Sequence, residues 1–307
     1  MSLLVVGSVA LDDVETGEAC KKGVLGGSAS YFSVGASLLS PVKLVAVVGE
    51  DFPSEHVELL RSKGVDLEGL EKAAGKTFHW AGRYSVDFSS RTTLSTNLNV
   101  FADFNPKLPE SYRSVTHLFL ANIHPALQIQ VLDSLEEVGF VAADTMNFWI
   151  DGALHDLQKL MKRLDLLIIN DEEVRLLGGG SSIFEAAENV LKQGPKALVV
   201  KRGEHGATLF MGSDLFYMPA FPVRYVVDPT GAGDTFASGL MGYLASRGSV
   251  PPSLEDLKQA MVCGTALASY AVEGFSLDGL KNLDLSQIQS RYEKLGEITQ
   301  FKVHQEL

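Results

Sequence analysis

The sequence predicts an α/β fold built around a doubly wound, mostly parallel sheet, and three observations support this. Short runs of Val, Ile and Leu recur along the 307 residues, as expected for strands buried on both faces of a sheet. Helical patterns with one apolar or small-residue face occur beside these runs. One region alternates polar and apolar residues with a period of two, which is typical of a small antiparallel excursion with one solvated face.

Six apolar runs are the predicted strands of the parallel sheet. They are Leu3–Val9, Val42–Glu50, His117–Asn122, Gly139–Thr145, Leu164–Asp171 and Ala197–Gly203. Helices are predicted over 28–39 and 254–271, where apolar and small residues share one face. Strands that alternate with helices favour a doubly wound arrangement.

A predicted β-hairpin interrupts this pattern. Residues 76–86 and 91–101 alternate with a period of two, and Leu94, Leu98 and Val100 fall on one side of the second segment. The polar residues 87–90 form the expected connection between the two strands. An insertion of this kind in a parallel fold often serves as a lid or as an oligomer contact.

The charge balance limits the partners. Lys and Arg total 26 against 38 Asp and Glu, a net charge of −12. Such a surface repels phosphate backbones and anionic lipid, so we expect neither nucleic acid nor a membrane as the main partner. Cys20 and Cys263 are isolated thiols, which fits a reducing cytoplasm. The apolar N-terminal run lacks the flanks of a signal peptide, and the expected location is therefore cytoplasmic.

The stretch VVDPTGAGDTFASGLMGYLA, residues 226–245, carries the strongest functional signal. Gly231 and Gly233 allow positive φ and a close approach of the backbone to a ligand. The free N–H groups where the following helix begins form an anion site. Asp234 lies inside that site, where a carboxylate is unfavourable unless it takes a proton from an alcohol attacking a phosphoryl group. The alternative is an ordinary N-capping Asp.

The segment DPTGAGDTFASG resembles the C-terminal signature of the PfkB sugar kinase family, which has the ribokinase-like fold. Other segments resemble the family in the expected order: VVGSVALDD, GGSASYFSVGAS, VVGEDF, IINDEEVRLLGG and VVKRGEHGA. The resemblance covers most of the chain. It implies a single ribokinase-like kinase domain over 1–307, with a small antiparallel β lid inserted at about 12–24 and 76–104.

The resemblance implies an ATP-dependent phosphotransferase that acts on an alcohol group of a sugar or nucleoside. Asp234 is the implied general base. The implied anion hole for the transferred phosphoryl consists of the backbone amides of Gly231, Ala232 and Gly233. The implied nucleotide-binding residues are Asn170, Lys201, Gly203, Gly231 and Gly233. For Lys201, a surface lysine is the alternative.

The resemblance also implies two cations. Asn170 and Glu173 would organise Mg²⁺ mainly through water, which suits an ion that keeps its hydration. The alternative is a helix N-cap with a capping-box Glu. Asp228 and Thr230 match positions that hold a monovalent cation such as K⁺ in many relatives. The alternative for Asp228 is a cap on the Pro-Thr turn.

Asp12, Gly26 and Gly27 match the substrate pocket of the family, although a turn residue is the alternative for Asp12. Tyr31 is a departure, because the family usually carries an Asn there. A phenol is larger than an amide and offers one donor-acceptor group. This substitution argues against plain ribose or fructose as the substrate.

The acceptor therefore stays open between a nucleoside, such as adenosine or inosine, and a monosaccharide. The predicted lid contains aromatic residues that could stack on a base or could instead form the lid core or a dimer contact: Phe78, Trp80, Tyr84, Phe88 and Phe101. An exposed β edge in the lid also suits a homodimer. Outside the kinases, the alternative is a non-catalytic sugar or nucleoside sensor on the same fold.

Overall fold

The computed structural model describes residues 2–17, 19–88 and 90–300. Its strands are β1 (Leu3–Val6), β2 (Ala10–Thr16), β3 (Ala19–Gly26), β4 (Val42–Val48), β5 (Asp66–Lys72), β6 (Phe78–Tyr84), β7 (Arg91–Asn97), β8 (Ser114–Leu120), β9 (Glu137–Ala143), β10 (Leu166–Asn170), β11 (Ala197–Lys201), β12 (Ala207–Met211) and β13 (Asp214–Met218). Its α-helices are α1 (Ser28–Ser37), α2 (Ser54–Ser62), α3 (Pro125–Asp133), α4 (Asn147–Gly152), α5 (Leu154–Met161), α6 (Asp171–Gly178), α7 (Ile183–Leu191), α8 (Ala232–Arg247), α9 (Leu254–Ala271) and α10 (Leu285–Thr299).

The large sheet has the order β13-β12-β11-β10-β9-β8-β1-β4-β5. The strands from β11 to β5 pair in parallel, and the β12–β13 hairpin adds two antiparallel strands at one edge. Each of the six predicted apolar runs overlaps one of the parallel strands, although β8 and β9 begin two or three residues before their predicted runs. The predicted mostly parallel α/β fold is confirmed, whereas β5, β12 and β13 were not predicted.

The interior strand β1 shows why helices cover both faces of this sheet. Leu3 and Val5 belong to the hydrophobic core on one face, and Leu4 and Val6 belong to the core on the other. Helices α1, α8, α9 and α10 pack on the first face, and α3, α5 and α7 pack on the second. Strands buried on both faces must be apolar throughout, which explains the continuous hydrophobic runs.

The small sheet has the order β3-β2-β6-β7. The β2–β3 and β6–β7 pairs are antiparallel, and the predicted hairpin is confirmed. The central β2–β6 pair is parallel, because β2 and β6 follow β1 and β5, two strands that run in the same direction. Strand β7 ends at Asn97, before the end of the alternating pattern, since Asn99 has a positive φ of 49° and begins a 3₁₀ turn.

Parts of three predicted features lie outside the described residues. They are Ser89 in the hairpin connection, Glu18 in the first lid segment, and Met1 with 301–307 in the predicted domain. Within the described ranges, the helices are all too short or too polar to cross a bilayer.

Small residues let α8 pack closely against its neighbours, as the sequence predicts. A Cβ atom at Gly239 would lie 2.8 Å from the Cα atom of Gly264 on α9. A Cβ atom at Gly35 on α1 would lie 2.1 Å from the hydroxyl oxygen of Ser238. Larger side chains at these crossings would push the helices apart. The close packing therefore fixes the position of α8 relative to the sheet.

Candidate active site

The glycine turn lies at the start of α8. Gly231 is the N-cap residue with a left-handed φ of 74°, which favours glycine at this position. The amides of Gly231 and Gly233 have no acceptor in the part of the chain that the structure describes, whereas the Ala232 amide donates to the Pro229 carbonyl at 3.2 Å. Two of the three predicted anion-hole amides are thus free, and the third is shared with the turn.

A lysine side chain places a positive charge beside these amides. A Cβ atom at Gly233 would lie 2.9 Å from the Nζ atom of Lys201, so the ammonium group touches the first turn of α8. Lys201 ends β11, next to Asn170 at the end of β10, with which it pairs in register. The carboxyl ends of parallel strands and the N-terminus of α8 therefore meet here, as in other ligand sites of α/β sheets.

Asp234 occupies the first turn of α8. Burial raises the pKa of Asp234 to about 6, against the opposing positive charges of Lys201 and Arg91. A carboxylate with this pKa is largely ionised at neutral pH, yet it holds a proton more readily than an exposed Asp. These are the properties that a general base needs near pH 7.

Asn170 and Glu173 form a capping box at the start of α6. The Glu173 amide donates to Asn170 Oδ1 at 2.8 Å, and the Asn170 amide donates to Glu173 Oε2 at 2.8 Å. Burial raises the pKa of Glu173, while the charge of Lys201 and the hydrogen bond from Asn170 oppose the shift. The predicted capping box is therefore present, and the buried Glu173 carboxyl that belongs to it lies close to Lys201.

Asp228 links the glycine turn to two other segments. Its Oδ1 atom accepts a hydrogen bond from the Thr230 amide at 2.9 Å, and its Oδ2 atom accepts one from the Ser276 amide at 3.1 Å. The Ser276 hydroxyl donates to the Leu25 carbonyl, and the Thr230 hydroxyl donates to Tyr84 Oη at 3.1 Å. Both partners lie on the small sheet, so the capping alternative for Asp228 holds and the turn is tied to that sheet.

Asp228 is 1% exposed and forms no ion pair with a described Lys or Arg. Burial raises the pKa of Asp228, and the hydrogen bonds from Thr230 and Ser276 oppose that shift. Buried carboxylates usually have a cationic partner. The single negative charge of the buried Asp228 carboxylate is thus one that a small monovalent cation would balance.

Asp12 lies in the interior of β2 and not in a turn. It is 4% exposed, and its carboxyl fills the space beside Gly26, where a Cβ atom would lie 2.0 Å from Asp12 Oδ2. Gly27 has a φ of 91°, and a Cβ atom there would lie 2.5 Å from the Ser8 carbonyl oxygen. Burial, together with the negative charges of Asp228 and Asp234, raises the pKa of Asp12 to about 8. The three predicted substrate-pocket residues therefore lie together.

Tyr31 packs beneath the glycine turn. A Cβ atom at Gly231 would lie 2.3 Å from a ring carbon of Tyr31. The tyrosine is 1% exposed, and its hydroxyl has no hydrogen-bond partner among the described residues. Burial raises its pKa well above the usual value, the charges of Asp12 and Asp228 add to the shift, and the nearby Ser276 side chain opposes it. The departure from the family pattern therefore lies between Asp12 and the glycine turn.

Gly203 is the one predicted nucleotide-binding residue that the structure leaves on the surface. It begins a 3₁₀ turn two residues beyond Lys201, with a φ of 53° and no atom near the position of a Cβ. The other predicted site residues meet at the sheet edge: Asp12, Gly26, Gly27, Tyr31, Asn170, Glu173, Lys201, Asp228, Thr230, Gly231, Ala232, Gly233 and Asp234.

Comparison with known proteins agrees with this geometry. Residues 3–279 match the pfkB carbohydrate kinase family. The chain belongs to this family. A cytidine kinase from Thermococcus kodakarensis is 29% identical over 80% of this chain and 90% of its own length. The PfkB chain is thus a kinase, that is, a phosphotransferase.

Solved structures share the fold of this PfkB chain. A nucleoside kinase from Methanocaldococcus jannaschii has a TM-score of 0.75 at 20% identity and covers 95% of this chain and 98% of that one. Aminoimidazole riboside kinase from Salmonella enterica, solved with aminoimidazole riboside and an ATP analogue, has a TM-score of 0.74 at 18% identity, covering 95% of this chain and 100% of that one. These similarities confirm the predicted ribokinase-like fold.

Two residues of the PfkB site were missed from the sequence. Asp144 directly follows β9 and is buried, and its Oδ1 atom has no hydrogen-bond partner among the described residues. Burial raises the pKa of Asp144 well above its usual value, the charge of Asp234 adds to the shift, and Lys201 opposes it. Its signal was an Asp at the end of a buried strand, a position where ligand-binding residues collect.

Arg91 is the second missed residue. It begins β7 on the small sheet, and its positive charge lowers the pKa values of Asp234 and Glu173. The small sheet therefore contributes a cation to the carboxylate cluster of the PfkB site. A basic residue at the start of a predicted lid strand was the available signal.

Around this PfkB site, in the described ranges, no group of three or more His, Cys, Asp or Glu side chains is arranged to bind a metal ion directly. The carboxylates of Asp144, Glu173 and Asp234 approach one another around Lys201 without forming such a group. An ion that keeps its own water shell is the kind that this arrangement suits.

Proposed function

We propose that this chain transfers the γ-phosphoryl group of MgATP to a hydroxyl group of a nucleoside, with Asp234 as the general base. The observation that carries the proposal is the position of Asp234, a carboxylate with a raised pKa beside the free amides of Gly231 and Gly233 and the ammonium group of Lys201. The relatives support a nucleoside as acceptor and ATP as donor, since they include a cytidine kinase and a riboside kinase bound to an ATP analogue.

The proposed step conserves atoms and charge. Asp234 takes the proton of the acceptor hydroxyl while the oxygen forms a bond to the γ-phosphorus, and the bond from that phosphorus to the β,γ-bridging oxygen breaks as ADP leaves. The amides of Gly231 and Gly233, with that of Ala232 at the turn, receive the charge that develops on the phosphoryl oxygens. Lys201 neutralises further charge there, and Gly203 would lie beside the nucleotide.

Asp12, with the backbone of Gly26 and Gly27, would hold the acceptor hydroxyls, and Tyr31 would close the pocket beneath the turn. The small sheet would act as the lid of a single kinase domain over residues 1–307. A closed lid excludes water, which otherwise competes with the acceptor as the nucleophile.

Two cations fit the observed residues. Asn170, Glu173 and Asp144 would hold Mg²⁺ through its water shell. The Oδ1 atom of Asp144, which has no hydrogen-bond partner among the described residues, and the buried carboxyl of Glu173 favour a cation nearby. When bound, this ion neutralises the phosphates of the donor. Asp228 and Thr230 would hold a monovalent cation such as K⁺, whose charge would compensate the buried carboxylate.

The free thiols of Cys20 and Cys263 support a cytoplasmic location for this reaction. A homodimer through the small sheet is proposed from the exposure of Val86 (86%), Leu94 (47%) and Leu98 (44%) on and beside the hairpin. Analytical ultracentrifugation tests this proposal. A wild-type dimer that becomes a monomer when Leu94→Asp is introduced would support it, and a wild-type monomer at high protein concentration would exclude it.

Two measurements test the proposed reaction. In the first, ADP release is followed with a panel of nucleosides and sugars, and turnover of sugars alone would overturn the choice of acceptor. In the second, Asp234→Asn should keep nucleotide affinity and lose about 10²–10⁴-fold in kcat, as general bases do. Asp214→Asn on the exposed strand β13 is the matched control. Nucleoside binding without phosphorylation by the wild-type protein would favour a sensor.

A further inference from the structure

Trp80 lies beside Asp12 on the small sheet. The two residues pair directly in the parallel β2–β6 register. Directly paired residues of neighbouring strands point to the same face of a sheet, and the strands lie about 4.8 Å apart. Tyr84, four residues further along β6, shares this face and contacts Thr230 of the glycine turn. The Trp80 side chain therefore faces the active site, next to the acid proposed to hold the acceptor hydroxyls.

The position of the indole depends on a glycine. A Cβ atom at Gly82 would lie 2.1 Å from Cη2 and 2.3 Å from Cζ2 of Trp80, so the six-membered ring lies over Gly82. The indole Nε1 atom donates to Thr93 Oγ1 at 3.4 Å on the adjacent strand. Since any side chain at position 82 would push the ring outward, Gly82 is what allows the indole to lie along the sheet.

The other aromatic residues of the small sheet have structural partners. Phe78 stacks on Phe101 with centroids 5.2 Å apart, and Phe101 continues the stack. Tyr84 lies 6.4 Å from Phe88, centroid to centroid. Trp80 forms no aromatic pair in the described ranges, and the Arg91 guanidinium lies 5.5 Å from the centroid of its ring. Trp80 is thus the aromatic ring of this face without an aromatic neighbour.

We propose that the indole of Trp80 is the surface on which the base of a nucleoside acceptor stacks, while Asp12 holds the sugar hydroxyls. This inference rests on the proposed function, because it names the residue that binds the base of the acceptor proposed for the same site. A nucleoside joins a flat base to a hydroxylated sugar. The paired Trp80 and Asp12 present a flat ring beside a carboxyl group that can form hydrogen bonds with sugar hydroxyls. A plain monosaccharide has no group that needs the indole.

Tryptophan fluorescence tests the stacking without relying on catalysis. The chain contains two tryptophans, Trp80 and Trp149. In a Trp149→Phe background, cytidine, adenosine and inosine are titrated without nucleotide, and at least one is expected to quench the Trp80 emission with saturation, whereas ribose leaves it unchanged. The Trp80→Phe protein, which retains Trp149, reports any quenching that does not arise from Trp80. Saturable quenching by ribose, or by none of the nucleosides, would overturn the inference.

Two variants measure what the ring contributes, with binding followed by calorimetry. Trp80→Leu is expected to lose about 10- to 100-fold in nucleoside affinity, the range found for base stacking on an aromatic side chain. Gly82→Ala keeps the ring but displaces it, and should give a smaller loss in the same direction. Equal nucleoside affinity in the wild type and both variants would contradict the proposal.

The possible outcomes separate this inference from the proposed function. If nucleosides quench Trp80 and no acceptor is phosphorylated, the stacking role stands and the kinase step fails. If sugars are phosphorylated and nucleosides neither bind nor react, the kinase step stands and the stacking role fails. Thermal melts of each variant exclude unfolding as the cause of a lost signal.

Discussion

The ammonium group of Lys201 lies against Gly233, in contact with the first turn of α8. Lys201 ends β11 and Gly233 follows the glycine turn, so one contact joins the edge of the sheet to the start of the helix. This contact brings a positive charge next to Asp234. Burial raises the pKa of Asp234 to about 6, and the charge of Lys201 opposes that rise. The acidity of the proposed base on α8 therefore depends on a residue of strand β11.

The pH profile of turnover should reveal this dependence. We expect kcat/KM of the wild type to fall on the acid side near pH 6, as Asp234 becomes protonated. In Lys201→Met the acid limb should move to higher pH, because the charge that lowers the pKa of Asp234 is gone. We also expect kcat to fall by about 10²-fold, as it does when one group that stabilises developing charge is removed. An acid limb at the same pH in both proteins would contradict the assignment.

The capping box of α6 allows the structural and metal roles of Glu173 to be separated. In Glu173→Gln, the side-chain oxygen still accepts the Asn170 N–H group, as Gln287 does for Asp284 at the start of α10. Stability should therefore change by less than about 1 kcal/mol. The Mg²⁺ concentration for half-maximal activity should rise by about tenfold or more, because a charge beside the ion is lost.

The matched control for Glu173→Gln is Asp256→Asn, which makes the same change from acid to amide in the capping box of α9. Its Mg²⁺ dependence should equal that of the wild type. Urea denaturation checks the stability of both variants. If Glu173→Gln lowers stability by several kcal/mol while its Mg²⁺ dependence stays unchanged, the residue is structural only.

The sequence predicted the parts of the site that are close together in the chain. The glycine turn and Asp234 form one continuous motif, and so do Asn170 and Glu173, because helix starts use local side-chain chemistry. The apolar runs located the central parallel strands, since burial on both faces leaves a continuous signal. The sequence pattern was sufficient to locate an element wherever neighbouring residues in the chain determine its structure.

Relationships that depend on strand order could not be predicted in this way. Asp144 belongs to the site because β9 lies next to β10, and Arg91 belongs because the small sheet brings its charge close to Asp234. Tyr31 reaches Gly231 across 200 positions of sequence, through the packing of α1 against α8. The β5 strand has four charged residues among its seven and lies at a sheet edge, where the apolar signal used for the other strands is absent.

Asp12 should lower the stability of the fold above acidic pH. Its pKa in the folded protein is raised to about 8, so between pH 4 and 8 the folded state binds a proton more tightly than the unfolded state. The free energy of unfolding must then fall as pH rises through this range. Asp12→Asn removes the effect and should be more stable than the wild type at pH 8, by about 1–3 kcal/mol.

Urea denaturation at several pH values between 4 and 8 measures this contribution. The stability gained in Asp12→Asn should shrink as the pH falls, because the wild-type carboxyl becomes neutral in both states. The same variant should lose affinity for the acceptor. A constant stability difference across the range would mean that Asp12 has an ordinary pKa in the folded protein.

Among the described residues the buried hydroxyl of Tyr31 has no hydrogen-bond partner, whereas its ring fills space under Gly231. Tyr31→Phe removes only the hydroxyl and should leave stability unchanged or raise it by about 1 kcal/mol, since an unpaired polar group is lost. Tyr31→Asn restores the usual residue of the family but leaves a cavity, and should cost about 2–4 kcal/mol. Chemical denaturation distinguishes the two, and a strongly destabilised Tyr31→Phe would show that the hydroxyl has a partner.

The hydrogen bond from Thr230 to Tyr84 should hold the small sheet over the glycine turn. Tyr84→Phe keeps the ring and removes the acceptor oxygen, at a cost of about 0.5–1.5 kcal/mol to the closed arrangement. We therefore expect the KM for the acceptor to rise by about two- to tenfold, with a smaller change in kcat.

Steady-state kinetics with the acceptor varied is the measurement. The control is Tyr217→Phe on the exposed strand β13, which removes a hydrogen bond to the His205 carbonyl and should leave KM unchanged. Equal KM values for Tyr84→Phe and the wild type would show that the small sheet needs no such contact to close, whereas a rise in both variants would point to a general loss of stability.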